Sequence, residues 1–210
     1  MSCLKIGNKA PNFKAVTTMG NLEMSKLKEK WVILFSHPGD FTPVCTTEFI
    51  SFAQYFECFK ERNVELIGLS IDSNPSHLAW VYNIYQNTGI TIPFPIIADR
   101  DGSISNKYGM IAKDVSSTET VRNTFIIDEK QTIRAILTYP MTNGRNICEI
   151  LRLVDALQFT DQYGLVTPAN WVPGQRALVP PPKTYDELRR RQCDKTLDCI
   201  DWYWCYERDY

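Results

Sequence analysis

The segment Trp31–Ser36 (WVILFS) constrains this chain more than any other. It is a continuous apolar run rich in β-formers. Such a run suits a central strand buried on both faces rather than one wetted on alternate residues. Val64–Ser70 (VELIGLS) reads as the next buried strand. Between them Pro38, Gly39 and Pro43 break the chain, and a helical pattern follows over about residues 45–60. Thr42 is the candidate cap, Pro43 sits in the first turn and Glu48 lies near it, all ordinary signals of a helix start. Asp72-Ser73-Asn74-Pro75 opens a second helix running to about residue 87.

The remaining pattern continues the alternation. Residues 12–30 hold short extended stretches around a polar turn at Met19-Gly20-Asn21. A short strand at Ile96–Ala98 precedes a short helix over 102–108. Strands over 123–127 and 132–138, joined by Asp128-Glu129-Lys130, read as a hairpin. Ile147, Ile150, Leu151, Val154 and Leu157 recur at helical spacing and mark a helix over about 145–159. Strands alternating with helices at this spacing argue for an α/β sheet with helices on its faces. After Gly164 the composition shifts: residues 167–182 (TPANWVPGQRALVPPP) hold five prolines and read as an extended arm. The expected organisation is therefore a domain over residues 1–163 and a C-terminal arm over 164–210.

Composition excludes several classes. Lys+Arg is 23 against 24 Asp+Glu, a net charge of -1, which is not the signature of a generally basic nucleic-acid binder. An apolar content of 44% can build a core, so disorder is not the dominant state. The apolar runs fall far short of the ~20 residues of a membrane span. The N-terminal residues have no apolar stretch of the secretory kind, and a cytoplasmic location is expected.

Seven cysteines (Cys3, Cys45, Cys58, Cys148, Cys193, Cys199 and Cys205) are an odd number in a long chain, which argues against a static disulfide framework. Metal spacing is also missing, and only His37 and His77 could join a ligand set, so neither a metal nor a cofactor is expected. Cys58 and Cys148 read as packed thiols in helices, and Cys3 as a terminal thiol. Cys45 is the informative one. It follows a buried strand and lies in the first turn of a helix, where the partial positive charge of the helix terminus favours a thiolate. Thr42 is three residues earlier, and Pro38 and Pro43 stiffen the loop. Position alone leaves two readings open, a nucleophile and a packed thiol.

The pattern Pro38-x-x-x-Thr42-x-x-Cys45, within SHPGDFTPVCTTEF, resembles the peroxiredoxins, thiol peroxidases on a thioredoxin-like fold. The stretches RNTFIID (122–128), YPMTNGRNICEILR (139–152) and the proline-rich arm are similar to the subgroup with a long C-terminal domain. Gly39 stands where many relatives have alanine. The resemblance implies a peroxidatic role for Cys45, contact of Thr42 with thiolate and peroxide, shielding by Pro38, and stabilisation of thiolate and peroxide by Arg122. It implies that Glu48 orients Arg122 and that His37 and Arg145 line the same pocket. Taken singly, each has a plainer reading: His37 as a loop hydrogen-bonder, Arg145 as a solvated helix-start residue, Glu48 as a helix-dipole partner, Arg122 as a surface ion-pair partner.

The implied chemistry is attack of the thiolate on the O–O bond, giving Cys45 sulfenic acid and water or an alcohol. Reduction of that species then needs a second thiol or an external one. The tail CDKTLDCIDWYWCYERDY offers Cys199 and Cys205, flanked by Trp202, Tyr203 and Trp204. It is similar to archaeal-type members that resolve with a C-terminal cysteine of the neighbouring subunit, which implies Cys205 first and Cys199 second, with a thioredoxin-like donor. The plainer reading packs this tail against a partner subunit, since aromatic residues are enriched at interfaces. A homodimer or ring of dimers fits the resemblance. The competing function is a redox sensor or holdase signalling through Cys45 oxidation. Lipase activity, which some relatives have, would call for a G-x-S-x-G elbow, and the sequence has none.

Overall fold

Strand β3 (Trp31–Ser36) is buried at all six positions, and β4 (Val64–Ser70) at six of its seven. The two run parallel in register from Trp31 opposite Val64 to Ser36 opposite Leu69. The computed structural model describes residues 4–208, so Cys3 lies outside the described residues. On its other side β3 pairs antiparallel with β6 (Arg122–Ile127), which in turn forms the expected hairpin with β7 (Ile133–Tyr139). Strand β5 (Ile96–Ala98) adds parallel to β4, and the hairpin β1 (Lys14–Thr17) and β2 (Gly20–Glu23) completes the order β2-β1-β5-β4-β3-β6-β7. The sheet is mixed, with its parallel strands central, as a sheet covered on both faces requires.

Alternation along the strands divides the core. Val32, Leu34, Ile67, Leu69, Phe125 and Ile127 join one cluster with Phe13, Tyr108 and Met110. Phe35 takes the other face, where its ring stacks on Phe52 at 4.2 Å and meets Phe49 at 5.4 Å and Phe94 at 5.7 Å.

Helix α1 (Pro43–Gln54) begins with Thr42 as its N-cap and Pro43 in its first turn. The single helix expected over 45–60 is two: α1, and α2 (Phe56–Glu61), parted at Tyr55 with φ -95° and ψ 7°. Phe52 and Phe59 are both fully buried across the break, so the apolar spacing runs through it and periodicity alone does not reveal it. Helix α3 (Asn74–Thr88) starts with the Ser73 hydroxyl accepting from the Ser76 N–H and ends at Gly89, φ 72°, the left-handed position that glycine fills without a Cβ penalty. A short helix, α4 (Ser103–Tyr108), follows β5.

Residues up to Ile147 form one compact unit and those from Cys148 a second. Helix α5 (Ile147–Tyr163) opens at that division. Within the second unit the proline-rich stretch is held by Trp171, whose indole N–H donates to the Gln175 carbonyl at 2.9 Å and whose ring lies 4.9 Å from Phe159. The tail contains α6 (Tyr185–Cys193) and a hairpin of β8 (Leu197–Asp201) with β9 (Trp204–Glu207). The sequence pattern, read as an extended arm over 164–210, predicts none of these elements.

Candidate active site

Cys45 lies in the first turn of α1, beyond the C-terminal end of β3, and is fully buried. Arg122, the first residue of β6, enters from the neighbouring strand and brings Nη1 to 3.3 Å from the Cys45 Sγ. The same Nη1 donates to Glu48 Oε2 at 2.8 Å, and the Arg122 Nε and Nη2 donate to the Met141 carbonyl at 3.0 and 2.6 Å. The guanidinium is thus fixed on two edges before it meets the sulfur. Arg145 closes the far side of Glu48. Its backbone N–H and Nε donate to Oε1 at 2.8 and 2.9 Å, and its Nη2 to Oε2 at 2.7 Å. Arg145 Nη1 also reaches the Asn123 carbonyl, and its guanidinium lies 5.0 Å from the centre of the Phe35 ring.

All four side chains are buried: Cys45 0%, Arg122 2%, Glu48 3% and Arg145 6% exposed. Two guanidiniums face one carboxylate, so the cluster carries one surplus positive charge beside the Cys45 sulfur. Burial pushes the Glu48 carboxyl up, but Arg145 and then Arg122 outweigh burial and hold it below the ordinary carboxylate value. The plainer readings of Arg122 as a surface ion-pair partner and Arg145 as a solvated residue do not match this burial.

Thr42 caps α1 through its backbone position, and its hydroxyl donates to the Gly39 carbonyl at 2.8 Å. Pro38 follows His37 in the same loop, where Phe41 holds a left-handed φ of 54°. His37 is fully buried, with Nε2 at 3.1 Å from Asp40 Oδ1 and its ring 5.2 Å from that of Trp80. No carboxylate partner for His37 was evident in the sequence, although Asp40 is only three residues away. His77, which the sequence offered only as a second histidine, also contacts Asp40. Asp40, Trp80, Asn123 and the Met141 carbonyl were all missed.

Cys199 and Cys205 lie opposite one another in the β8–β9 hairpin and are joined in a disulfide. Cys205 is buried and Cys199 exposed. Among the described residues Cys45, Cys58 and Cys193 form no disulfide.

A buried helix-start cysteine against an arginine–glutamate pair, on a mixed sheet of this order, defines a thiol peroxidase on a thioredoxin-like scaffold. Residues 6–136 match the AhpC/TSA family, and residues 156–195 match the C-terminal domain of 1-Cys peroxiredoxin. The chain belongs to the peroxiredoxins. It is 59% identical to Peroxiredoxin 2 of Caldanaerobacter subterraneus subsp. tengcongensis, over 98% of this chain and 94% of the relative. It is 51% identical to the peroxiredoxin of Aquifex aeolicus, over 99% and 98%. Among solved structures, a yeast mitochondrial 1-Cys peroxiredoxin, studied for thiol resolution via glutathione/thioredoxin systems, superposes with a TM-score of 0.87 at 41% identity, covering 98% of this chain and 100% of that one. A cysteine-to-serine variant of peroxiredoxin 6 of Arenicola marina also gives 0.87, at 36% identity and 99% of both chains. No helix among the described residues is long and apolar enough to cross a membrane.

Proposed function

We propose that the chain reduces hydrogen peroxide and organic hydroperoxides through Cys45 and is returned to the thiol state by a C-terminal cysteine and a thioredoxin-like donor. The observation that carries this reading is the Arg122 Nη1 contact with the Cys45 sulfur inside a buried cluster short of one negative charge. A free thiol is only a few per cent thiolate at neutral pH. A thiolate here completes the charge balance of the cluster.

The thiolate attacks one peroxide oxygen, the O–O bond breaks, and the other oxygen leaves as hydroxide or alkoxide that takes a proton. Donors already aimed at the reacting atoms stabilise that developing charge. Arg122 supplies such donors. Thr42 exchanges its hydrogen bond to Gly39 for one to the peroxide. Pro38 shields the pocket, Glu48 orients Arg122, and His37 and Arg145 complete the lining.

The Cys45 sulfenic acid then condenses with the Cys205 thiol, releasing water and forming a disulfide. Attack of the Cys199 thiolate on the Cys205 sulfur frees Cys45 and leaves the Cys199–Cys205 bond. The Cys199–Cys205 bond supports the two tail cysteines as a redox pair; the order Cys205 before Cys199 follows the resemblance to the archaeal-type members. An external dithiol regenerates the pair at the exposed Cys199. Residues 164–210 act as the dimerisation arm that carries these cysteines, in a homodimer or ring of dimers, and the protein works in the cytoplasm.

One equivalent of hydrogen peroxide added to fully reduced protein tests the reading. Two thiols should disappear rapidly, and Cys45→Ser should lose none at that rate. Sustained peroxide consumption by Cys45→Ser would sink it. Oxidation of Cys45 without turnover in the presence of a thioredoxin-like donor would favour the sensor instead.

A further inference from the structure

The Cys199–Cys205 bond joins β8 to β9 across the tail hairpin. Cys205 is buried, and its Sγ lies beneath the turn, 3.3 Å from the Asp201 carbonyl oxygen and 3.9 Å from that of Trp202. Strand β9 is covered on its other side as well: the Val179 N–H donates to the Cys205 carbonyl at 2.9 Å, and the Glu207 N–H to the Ala177 carbonyl at 3.2 Å. Cys199 is exposed on β8, whose outer edge pairs with no strand among the described residues. A reductant therefore reaches the pair from the Cys199 side.

That side is not an ordinary wetted turn. Ile200, Trp202, Tyr203 and Trp204 are all exposed, so four of five consecutive positions show a large apolar side chain to solvent. A single exposed apolar residue needs no account, but a contiguous group marks an interaction site, and Trp and Tyr are enriched where proteins meet. The same hairpin carries Asp198, Asp201 and Glu207 and neither Lys nor Arg. Arg176 pairs with Asp198 at 2.8 Å, which leaves Asp201 and Glu207 without an ion pair among the described residues. The surface around the disulfide is thus apolar at its centre and acidic at its rim.

We propose that this hairpin is the docking surface for the electron donor, and that the donor is a protein dithiol whose nucleophilic cysteine lies in an apolar face rimmed by Lys or Arg. The inference rests on the reading of Cys199 and Cys205 as the pair reduced in turnover. The donor's thiolate attacks the Cys199 Sγ and the S–S bond breaks. The electron pair passes to the Cys205 Sγ, which takes up a proton beside the Asp201 carbonyl. The donor's second thiolate then attacks the mixed disulfide and releases Cys199 as a thiolate, so the pair is reduced and the donor becomes a disulfide. Burial of Trp202 and Trp204 holds the donor in place for the first step, and the carboxylates of the rim steer its basic residues inward. A small anionic thiol gains neither advantage, being too small to cover the aromatic face and of the same charge as the rim.

Peroxide consumption by the full-length protein is measured with two reductants: a bacterial thioredoxin recycled by its reductase and NADPH, and dithiothreitol. The KM for thioredoxin should rise about tenfold in Trp202→Ser and in Trp204→Ser, the loss of one interface anchor, while the rate with dithiothreitol keeps its value. In the unaltered protein the KM for thioredoxin should rise with added salt, and Asp201→Asn should flatten that dependence. Light scattering should give the same oligomer mass for all of them.

A KM for thioredoxin indifferent to salt in the unaltered protein would overturn the proposal even if no variant folds. So would a KM unmoved in both tryptophan variants, equal loss of the thioredoxin and dithiothreitol rates, or turnover that dithiothreitol sustains and thioredoxin does not. A fall in oligomer mass in either tryptophan variant would assign the aromatic face to a second copy of this chain and take the donor off it. Peroxide consumption sustained by neither reductant in the unaltered protein would instead remove the reading on which the proposal rests.

Discussion

Arg145 grips Glu48 by three hydrogen bonds, one from its backbone N–H and two from its guanidinium. The grip leaves Oε2 of the same carboxylate to meet Arg122 as well. Glu48 therefore serves two cations in a place water does not reach, and it cannot be neutralised without stranding both. Glu48→Gln is expected to cost about 3–5 kcal/mol of stability, as loss of one partner from a buried ion pair does. Chemical denaturation of both proteins measures it, and a loss below 1 kcal/mol would contradict the arrangement.

Arg122 uses Nε and Nη2 on the Met141 carbonyl and Nη1 on Glu48 and the Cys45 sulfur. A lysine presents one ammonium and cannot make this fork. Arg122→Lys should lower the rate of Cys45 with peroxide by ~10²–10³, the scale of one lost transition-state donor. Rapid-mixing kinetics on the reduced protein reads it, and an unchanged rate constant would remove Arg122 from the reaction.

Stability should fall in two stages on acidification. His37 is depressed in the fold because burial outweighs its bond to Asp40. Below the ordinary histidine value of ~6.5 the unfolded chain therefore takes up a proton that the native chain does not, and stability begins to drop. Glu48 and Asp40 are also depressed: burial raises both, but Arg145 and Arg122 in one case and the two histidines in the other prevail. Their contribution is complete above the ordinary carboxylate values and is lost as the pH falls below ~4. Thermal midpoints recorded from neutral pH downward should show both steps. A midpoint that rises between pH ~6.5 and ~5 would contradict the first.

A Cβ on Gly68 would lie 3.0 and 3.2 Å from the Phe49 ring and 3.5 Å from that of Phe35. Phe49 sits on α1, and its ring meets His37 at 4.8 Å. Gly68→Ala is expected to cost about 1–3 kcal/mol as overpacking and to slow Cys45 chemistry by displacing α1. Urea unfolding and peroxide kinetics on one preparation test both effects.

The two tail cysteines should fail differently. Cys205→Ser should stop after one oxidation with Cys45 as sulfenic acid, whereas Cys199→Ser should accumulate a Cys45–Cys205 disulfide. Non-reducing electrophoresis and peptide mapping after one equivalent of peroxide separate these outcomes. Identical products from both variants would remove the relay.

Much of this was readable along the chain because the central strands β3 and β4 are almost wholly buried. Trp31–Ser36 and Val64–Ser70 have the bounds read from their apolar runs, since burial on both faces makes those runs nearly continuous. The start of α1 was legible from Thr42 and Pro43. The break at Tyr55 was not, because Phe52 and Phe59 keep their spacing across it. Helix α6 had a signal that went unread: Thr184 accepts the Glu187 N–H, and the Glu187 carboxylate accepts the Lys183 N–H, a variant of the capping box. In the site, Arg122 and Glu48 were reached through a motif, not through pattern. Asp40, His77 and Trp80 come from one loop and one helix that only the tertiary fold joins, so spacing alone holds no trace of their contact.

The two guanidiniums around Glu48 have a consequence for turnover. In the proposed cycle Cys45 passes from thiolate to neutral sulfenic acid, which would remove a negative charge from a buried cluster of two guanidiniums and one carboxylate. The oxidised pocket then holds a cation with no counterpart, in surroundings that screen it poorly. The imbalance would last until the sulfenic acid has condensed to a disulfide and exchange has released Cys45 as a thiolate, so the charges that prepare Cys45 to react would also favour its repair.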